Sequence, residues 1–469
     1  MKQLSGLDAS FLLLERPNSA GHVGGICMLD PSELSAPLDL GALTDLVNER
    51  LPLIPVLRQK LRTVPFGLDQ PHWVDDDSFD VEYHVREISL PTPGSDAQLA
   101  EQISRIHARP LDRSKPLWEI YLVSGLSDGR QAMYMKIHHA AIDGVSGTEL
   151  MGLLLDLSPE GRDLAPTEPF RAEPAPGTAT LIGWAARSLA MRPVSVLRIG
   201  AEAARTAPLL GDVVSPLLNR GRGHGDGDVI ATRVRRPPRT PFNRPITPHR
   251  RYAFRSVNLE QVKQVKNANG VSVNDVVMAM SAGALRRWLI DHDALPEAPL
   301  IAMVPVSVRD EASASALGNK VSAMLAVLPT NLDDPLERLA ASHAATVAAK
   351  RQHAAIPQGL VDEVTEFLPP ALAARAARVV FSMGLPHRIS PFNLVISNVP
   401  GPNKQVYLKG AKMTAYYPVS VVTDGQGLNI TVQGYLGRLH FGLIACRELV
   451  PDVDKLTGYL VDELDLLSS

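Results

Sequence analysis

The middle of the chain constrains the fold most, because residues that break regular structure separate two regions with mixed strand and helix signals. The breakers are concentrated in PTEPFRAEPAPG (166–177), GRGHGDGD (221–228) and RVRRPPRTPFNRPITPHRR (233–251), and such proline and glycine content is typical of loops. With 469 residues the chain is long enough for more than one domain of ordinary size. We therefore predict an N-terminal lobe over residues 1–160, a crossover over residues 161–250 and a C-terminal lobe over residues 251–469.

Hydrophobic periodicity assigns strands and helices to both lobes. Strands are predicted over residues 119–124, 131–137, 300–308, 393–397, 429–435 and 438–446, and helices over residues 146–157, 272–289, 336–350 and 452–467. The last helix, for example, presents Leu456, Leu460 and Leu464 at helical spacing. Because strands and helices alternate irregularly, the predicted fold class is mixed α/β (α+β) and not a doubly wound dinucleotide-binding sheet.

The crossover is also strongly basic. Between residues 181 and 255 the sequence has fourteen arginines and four acidic residues, whereas the whole chain carries a formal net charge of −3. Trp184, Leu189 and Ile199 interleave with the first arginines, and such a mixture suits an anionic membrane surface or a lipid droplet. A solvated connection between the lobes, with one edge facing the coenzyme, explains the same composition, and both interpretations stay open. The charge of the whole chain gives no reason to expect nucleic-acid binding.

Two adjacent histidines mark the segment with the clearest chemistry. In MYMKIHHAAIDG (133–144) an apolar run leads to His138 and His139, and Asp143 and Gly144 follow. Neighbouring strand residues point to opposite faces, so only one histidine of the pair is expected to face a given cleft. A neutral imidazole, whose ordinary pKa is near 6.5, can accept a proton at cytosolic pH. Histidine pairs also occur in protein cores without a catalytic role, so the pair alone does not show that either histidine is catalytic.

The residues after this pair predict a junction between a strand and a helix. Ser146 and Glu149 have the S-x-x-E spacing of a capping box at the start of an apolar helix. His139 should therefore leave the end of a strand, and Asp143 should lie in the tight turn before the helix. From that turn the carboxylate would orient a histidine directly or by fixing the turn.

A second helix start carries another candidate residue. Ser272 and Asp275 again have the spacing of a cap, which puts Asn274 in the first turn of a helix. The amide of Asn274 and the positive end of the helix dipole would stabilise negative charge on a reacting oxygen. An asparagine at a helix start without any catalytic role is the competing interpretation.

Two other motif matches are rejected. The stretch GLSDG (125–129) fits G-x-S-x-G, but a nucleophile elbow needs a strand before the serine and a helix after it. A strand is predicted to follow here, so we assign Ser127 to a hairpin turn. The adjacent histidines lack the spacing of HExxH, and we expect no metal site.

The HHxxxDG pattern and six further stretches resemble one family of acyltransferases. The pattern itself is similar to that of the chloramphenicol-acetyltransferase-like superfamily, which includes the condensation domains of peptide synthetases. The further stretches are LDASFLLLE (7–15), HVGG (22–25), PLW (116–118), SVNDVV (272–277), PVSVR (305–309) and SNVPGP (397–402). In this order they resemble the bacterial bifunctional wax-ester synthase/diacylglycerol acyltransferase family. The resemblance implies two chloramphenicol-acetyltransferase-like lobes with an active-site channel between them.

The resemblance also implies roles for residues of the histidine segment. His139 would be the general base that removes a proton from an acceptor hydroxyl, and His138 would support the shape of the site. Asp143, which Gly144 follows, would pair with an arginine of the other lobe, and Arg309 is the candidate for that arginine.

Three residues outside the histidine segment gain roles in the same way. Asn274 would stabilise the oxyanion, while Glu15 and Trp118 would lie near the acceptor substrate. Trp118 directly precedes a predicted strand, so an ordinary core position is the alternative for this residue.

The implied activity is the direct transfer of an acyl group from acyl-CoA to a hydroxyl group, without an acyl-enzyme intermediate. The expected acceptor is diacylglycerol, which gives triacylglycerol, and a long-chain alcohol giving a wax ester is the expected second acceptor. Acyl-CoA is a substrate here, and no cofactor is expected. Two alternatives stay open: transfer from a carrier protein to a polyketide-type alcohol or an amine, and a non-catalytic lipid-binding protein.

The expected location is the cytoplasm. The N-terminal apolar run (residues 11–14) is too short for a secretory signal, and the longest apolar stretch (residues 276–285) is about half of what a bilayer crossing needs. Two cysteines, Cys27 and Cys446, do not make a disulfide framework. Peripheral contact with the inner membrane or with lipid droplets is compatible with these observations.

Overall fold

The computed structural model describes residues 2–141, 147–164, 170–188, 190, 237–307, 321–354 and 390–469. The strands are β1 (Lys2–Gln3), β2 (His22–Asp30), β3 (Gln59–Arg62), β4 (His72–Asp75), β5 (Val85–Ser89), β6 (Trp118–Ser124), β7 (Gln131–His138), β8 (Arg250–Asn258), β9 (Leu300–Ser307), β10 (Val321–Leu328), β11 (Leu394–Val399), β12 (Tyr407–Leu408), β13 (Ala411–Val419), β14 (Leu428–Tyr435) and β15 (Arg438–Cys446). The α-helices are α1 (Gly6–Leu14), α2 (Leu40–Arg50), α3 (Val81–His84), α4 (Asp96–His107), α5 (Gly147–Leu154), α6 (Leu259–Asn269), α7 (Val273–Asp291), α8 (Pro335–Ala354) and α9 (Val453–Ser468). Residues 178–188 are also helical, and short 3₁₀ turns include His139–Ala141.

The elements predicted from periodicity are confirmed within the described residues. The strands predicted over 119–124 and 131–137 are β6 and β7, and the helix predicted over 272–289 is α7. Because β6 and β7 pair antiparallel on either side of GLSDG (125–129), the hairpin assignment of Ser127 is confirmed as well. The helix predicted over 146–157 ends earlier, at Leu154. Two residues further on, Asp156 forms a β-bridge with Tyr407.

The first six-stranded sheet has the order β12-β13-β2-β7-β6-β5. Its centre, β7, is buried along its whole length, and its side chains alternate between two cores. Met133, Met135 and Ile137 pack in the core formed with α1, α2 and α5, whereas Ala132 and Tyr134 pack in the core formed with α4. Helices thus cover both faces of this sheet, which explains the nearly continuous apolar sequence of β7.

The strand pairing connects the two ends of the chain. β13 lies near the C-terminus, yet it pairs antiparallel with β2, with Lys412 opposite Asp30 and Val419 opposite Gly24. The edge strand β12 and its neighbour β13 therefore complete a sheet whose other strands come from the first 138 residues. The boundaries proposed at residues 160 and 250 stay a prediction.

The second six-stranded sheet has the order β10-β9-β11-β14-β15-β8. It is mixed, because β11 pairs parallel with both β9 and β14 while the other neighbours are antiparallel. Helices α6, α7, α8 and α9 contribute to its core, where Trp288, Leu456 and Phe441 are buried. A small sheet, β1-β4-β3, flanks the N-terminal region.

A separate apolar core joins the two six-stranded sheets. Tyr252 of β8 and Ile444 of β15 pack there with Ile103 of α4 and Tyr134 of β7. In the part of the chain that the structure describes, no helix has both the length and the apolar character that a bilayer crossing requires. Most of the basic crossover, residues 191–236, lies outside the described residues.

Candidate active site

The two adjacent histidines lie where β7 ends, as predicted. The backbone N–H of His138 donates to the carbonyl oxygen of Leu117 at 2.9 Å, and that of His139 donates to the carbonyl oxygen of Gly21 at 2.8 Å. Hydrogen bonds from both sides therefore fix the backbone at this point. His139 then opens a 3₁₀ turn that ends at Ala141, so its side chain leaves the regular alternation of the strand.

His139 is partly exposed, and its imidazole is uncharged at neutral pH. Its ring stacks on Phe11 of α1, with centroids 4.0 Å apart and an interplanar angle of 18°. Burial of the ring and, next to it, the electrostatic interaction with His138 lower the pKa of His139 to about 4. The Nδ1 atom is buried and has no hydrogen-bond partner among the described residues. A neutral imidazole is the form that a general base requires.

His138 is fully buried. Its Nδ1 accepts a hydrogen bond from the backbone N–H of Ala140 at 3.1 Å, so the ring proton is placed on Nε2. Nε2 lies 3.7 Å from Oε1 of Glu15, which is an electrostatic contact longer than a hydrogen bond. A Cβ atom on Gly21 would lie only 2.9 Å from Nε2, so this close approach requires glycine. These contacts support the prediction that His138 shapes the site.

Glu15 connects several parts of this site. It follows α1 directly, and its Oε1 accepts a hydrogen bond from the backbone N–H of Gly21 at 3.0 Å. Its Oε2 accepts hydrogen bonds from Arg113, from Nε at 2.9 Å and from Nη2. Burial opposes ionisation, but His138, Arg113 and the Gly21 amide outweigh it and lower the pKa of Glu15 to about 2. The predicted contact of Glu15 with an acceptor substrate stays a prediction, whereas its place beside His138 is observed.

Trp118 is packed in the N-terminal core. Only 1% of its surface is exposed, its Nε1 donates to the carbonyl oxygen of Leu57 at 2.7 Å, and its ring stacks on His84 with centroids 4.4 Å apart. These contacts agree with the core alternative for this residue. The PLW stretch still adjoins the site, because Leu117 holds the backbone of His138. A direct contact of Trp118 with substrate stays a prediction.

Asn274 lies in the first turn of α7, as predicted. Ser272 and Asp275 form the capping box in both directions. Asn274 is partly exposed, and its amide forms no hydrogen bond with another described residue, so its donor is available to a ligand. Asp275 is buried beside it and accepts a hydrogen bond from Nδ1 of His343 at 2.9 Å. Burial opposes ionisation of Asp275, but the hydrogen bonds from His343 and Ser272 lower its pKa.

Three predicted site residues, Asp143, Gly144 and Arg309, lie outside the described residues. The proposed pairing of Asp143 with Arg309 therefore stays a prediction. Conversely, the sequence did not single out Phe11, Arg113 or His343, because each is an isolated residue without a local pattern. Their connection to the site follows from contacts with residues distant in the sequence: Phe11 with His139, Arg113 with Glu15, and His343 with Asp275.

An apolar cavity of about 470 Å³ adjoins the helix that follows the histidine segment. Residues of α5 form one wall, β13 forms another, and Pro402 of the SNVPGP stretch closes a third side. The apolar lining residues are Met151, Leu155, Leu157, Pro402, Val406 and Met413. At the rim, Asp156 is buried between Arg50, which donates to both carboxylate oxygens at 3.0 Å, and Arg162, which donates at 2.7 Å. This ion cluster holds the segment after α5 in place.

Comparison with known proteins decides the family. The model of the wax ester synthase/diacylglycerol acyltransferase catalytic domain matches residues 4–277, and the model of the WS/DGAT C-terminal domain matches residues 317–468. The chain belongs to the wax ester synthase/diacylglycerol acyltransferase family. Among its relatives, a protein of Mycobacterium tuberculosis named as a probable diacylglycerol O-acyltransferase is 37% identical over 466 residues, covering 97% of this chain and 96% of that protein.

Solved structures agree with this membership. The wax ester synthase/diacylglycerol acyltransferase from Marinobacter aquaeolei VT8 superposes with a TM-score of 0.71 at 31% identity, covering 99% of this chain and 98% of that chain. The first condensation domain of the calcium-dependent antibiotic synthetase superposes with a TM-score of 0.56 at 15% identity, covering 99% of this chain and 96% of that chain, and shows the shared fold alone. The predicted mixed α/β fold class and the predicted family are thus confirmed, and this family member is an acyltransferase.

Proposed function

We propose that this family member transfers an acyl group from acyl-CoA to the hydroxyl group of diacylglycerol and so forms triacylglycerol. A long-chain alcohol is the proposed second acceptor, which would give a wax ester. The observation that carries the proposal is His139: a neutral, partly exposed imidazole at the end of a buried strand, in a chain that belongs to this family. The names of the relatives support diacylglycerol and alcohol as acceptors.

His139 acts as the general base in this proposal. It accepts the proton of the acceptor hydroxyl while the acceptor oxygen attacks the thioester carbon, so that a C–O bond forms and an oxyanion develops. The C–S bond then breaks, and the leaving thiolate of coenzyme A takes up the proton from His139. A positioned general base of this kind typically contributes a factor of about 10² to 10⁴ in rate. The transfer is direct, so acyl-CoA is a substrate and no resident cofactor takes part.

The remaining candidate residues have supporting roles in the proposal. Asn274 donates its amide hydrogen to the oxyanion, and such donors typically supply about 3 kcal/mol of transition-state stabilisation. The available amide of Asn274, at the positive end of α7, supports this role. Asp143 and Arg309 would pair across the two lobes in this proposal, with Gly144 directly after Asp143 in the sequence.

The apolar cavity beside α5 is suited to a hydrocarbon chain. Its lining is mostly apolar, and it lies next to the helix that directly follows the histidine segment. Each methylene group removed from water contributes about 0.8 kcal/mol, so a cavity of about 470 Å³ can bind part of a long chain without polar contacts. We therefore propose that it holds a hydrocarbon chain of one of the two lipid substrates.

We also propose that the protein is cytoplasmic and works at a membrane or lipid-droplet surface, because its lipid substrates reside there. The arginine excess between residues 181 and 255 favours an anionic surface. Trp184 supports the same interpretation, because 43% of this aromatic side chain is exposed at the start of the basic segment. Sedimentation of the purified protein with anionic and with neutral lipid vesicles measures this binding directly.

The central experiment combines one substitution with an acceptor panel. Purified protein receives radiolabelled oleoyl-CoA together with diacylglycerol or hexadecanol, and labelled triacylglycerol and wax ester are measured. The His139→Ala variant should lose transfer by a factor of about 10² or more while it keeps the circular dichroism spectrum of the wild type. His249→Ala is the matched control, because His249 is exposed and its ring pairs with the surface residue Glu448, and this variant should keep full activity.

The result that contradicts the assignment is equally definite. Wild-type turnover by the His139→Ala variant would remove His139 as the general base. Transfer from an acylated carrier protein, without any transfer from oleoyl-CoA, would favour the carrier-dependent alternative. Lipid binding without turnover of either donor would identify a non-catalytic lipid-binding protein.

A further inference from the structure

The connection between the two six-stranded sheets carries a carboxylate that lies outside the candidate active site. Asp424 follows β13 of the first sheet and precedes β14 of the second sheet. Thr423 and Gln426 exchange backbone hydrogen bonds of 3.2 and 2.9 Å, so Asp424 and Gly425 are the two central residues of a tight turn. Gly425 has a φ of 85°, a conformation that favours glycine. The turn therefore fixes the backbone of Asp424 between the two sheets.

The carboxylate of Asp424 accepts hydrogen bonds from two other parts of the chain. Its Oδ2 accepts one from Nη1 of Arg16 at 2.8 Å. Its Oδ1 accepts one from Nδ2 of Asn18 at 3.3 Å and one from the backbone N–H of Ile246 at 2.9 Å. Only 10% of the Asp424 side chain is exposed, so salt screens its pair with Arg16 less than it screens a pair on the surface. One carboxylate thus joins the segment after α1 to the segment before β8.

The segment after α1 that this carboxylate binds is a tight turn, the N-terminal turn (residues 16–19). Backbone hydrogen bonds of 2.9 Å run in both directions between Arg16 and Ser19. Asn18 adds a further contact with the segment before β8, because its Nδ2 also donates to the carbonyl oxygen of Ile246 at 2.9 Å. Connecting segments are the more mobile parts of a fold, so the position of this turn depends on such contacts.

Both ends of the N-terminal turn adjoin the histidine pair. Glu15 directly precedes the turn, and its Oε1 lies 3.7 Å from Nε2 of His138. Gly21 follows shortly after the turn, and its backbone N–H donates to Oε1 of Glu15 at 3.0 Å. The carbonyl oxygen of Gly21 accepts the hydrogen bond from the backbone N–H of His139 at 2.8 Å. A displacement of the turn therefore reaches the backbone of His139 through a single hydrogen bond.

We propose that Asp424 is a positioning residue for His139. Its carboxylate fixes the N-terminal turn, and the turn holds Glu15 and Gly21 where they orient the histidine pair. The inference rests on the proposed function, because it assigns Asp424 a role in the same transfer reaction. A general base must lie within hydrogen-bond reach of the proton that it accepts. A displaced His139 therefore slows the chemical step, whereas the binding of the substrates does not depend on it.

The test measures kcat and KM of the full-length protein with oleoyl-CoA and diacylglycerol. Two substitutions of Asp424 are compared. Asp424→Ala removes all three hydrogen bonds of the carboxylate. Asp424→Asn keeps an oxygen that can accept from Asn18 and Ile246, and it removes the charge that attracts Arg16. Both are also made together with Glu15→Gln, which perturbs the same segment at the other end of the proposed connection.

Asp452→Asn is the matched control. The carboxylate of Asp452 is also largely buried, with 22% of its side chain exposed, and it accepts a hydrogen bond from Nε1 of Trp288 at 3.0 Å. Trp288 packs in the core of the second sheet, whereas the histidine pair belongs to the first sheet. The control therefore removes a comparable charge from a contact that has no connection to the N-terminal turn. It should lower Tm without changing kcat.

The Asp424→Ala variant should lower kcat by about 10- to 100-fold while KM for both substrates stays within about twofold of the wild-type value. Asp424→Asn should show a smaller loss of kcat, because it keeps two of the three hydrogen bonds. In the Glu15→Gln background, Asp424→Ala should cost a factor in kcat that is at least about three times smaller than in the wild type, because both substitutions loosen the same segment. A purely structural role would lower Tm without this coupling in kcat.

Several results would overturn the inference. A wild-type kcat in the Asp424→Ala variant would show that the N-terminal turn does not position His139, although transfer by the wild type would leave the proposed function intact. A raised KM with an unchanged kcat would assign Asp424 to substrate binding. An equal loss of kcat with and without Glu15→Gln would show that the effect does not pass through this segment.

The more conservative variant keeps the test decisive. If Asp424→Ala did not fold, the kcat, KM and coupling of Asp424→Asn would decide by the same criteria. If the wild type made no triacylglycerol from oleoyl-CoA, the proposed function itself would fail.

Discussion

Replacing Glu15 by glutamine tests whether the carboxylate stabilises the segment that holds His139, the proposed general base. The Oε1 atom of Glu15 binds the backbone N–H of Gly21, and the carbonyl oxygen of Gly21 binds the backbone N–H of His139. Glutamine preserves the size of the side chain but removes the charge that attracts His138 and Arg113. We therefore expect the Glu15→Gln variant to lose both stability and transfer rate at neutral pH.

The pKa of Glu15 gives the size of the effect. It falls from 4.5 to about 2 in the folded protein, and a shift of this size corresponds to about 3 kcal/mol of folding free energy. Because the folded-state pKa is the lower one, this contribution is fully present above pH 4.5 and is lost as the pH falls towards 2. The entropy of unfolding scales to about 1 kcal/mol per kelvin for 469 residues, so Tm should fall by about 3 °C.

Differential scanning calorimetry of wild type and variant between pH 7 and pH 3 measures this difference. The gap in Tm should be largest at pH 7 and should narrow below pH 4.5. Glu33→Gln is the matched control, because Glu33 pairs with Lys412 at an exposed position and such a surface pair contributes less than about 1 kcal/mol. A Tm gap that is the same at pH 7 and pH 3, or that Glu33→Gln reproduces, would refute the electrostatic role of Glu15.

Two further predictions concern the base and the apolar cavity. Because burial lowers the pKa of His139 to about 4, kcat/KM should stay constant from pH 8 to about pH 5.5 and fall below pH 4 as His139 becomes protonated. A fall in kcat/KM that is already centred near pH 6.5 would contradict this prediction. Gly152 lines the apolar cavity, and a Cβ atom there would meet no atom within 4 Å. The Gly152→Leu side chain should therefore fill part of the cavity. We expect kcat/KM for oleoyl-CoA to fall relative to that for octanoyl-CoA, by about fourfold for each methylene group that is excluded. The control is Gly152→Ala, which adds little volume and favours the helix by about 1 kcal/mol. If Gly152→Leu left the preference between the two acyl chain lengths unchanged, the donor chain would bind elsewhere.

Local patterns predicted the parts of the site that local forces build. Hydrophobic periodicity located β7, and the spacing of Ser272 and Asp275 located the start of α7 with Asn274 in its first turn. Such signals depend on residues within a few positions of one another, so the sequence alone carries them. The ordered set of motifs predicted the family for the same reason, because each motif is short and contiguous.

Contacts between distant residues could not be predicted in this way. Arg113 reaches Glu15 across 98 positions, and His343 reaches Asp275 across 68. The stacking of Phe11 on one face of the His139 ring likewise depends on how α1 packs against the end of β7. An isolated arginine or aromatic residue has the same sequence signal at a surface, in a core or in a site, and only the assembled fold distinguishes these cases.

The pairing of β13 with β2 has a consequence for the newly made protein. Lys412 lies opposite Asp30, and a ribosome that adds about 5 to 20 residues per second needs about 20 to 80 s to synthesise the chain between them. During that time the outer edge of β2 has no native neighbour, and an open strand edge invites pairing with other chains. Nascent molecules of this enzyme therefore depend on early protection of that edge, and slower translation would lengthen the period of exposure.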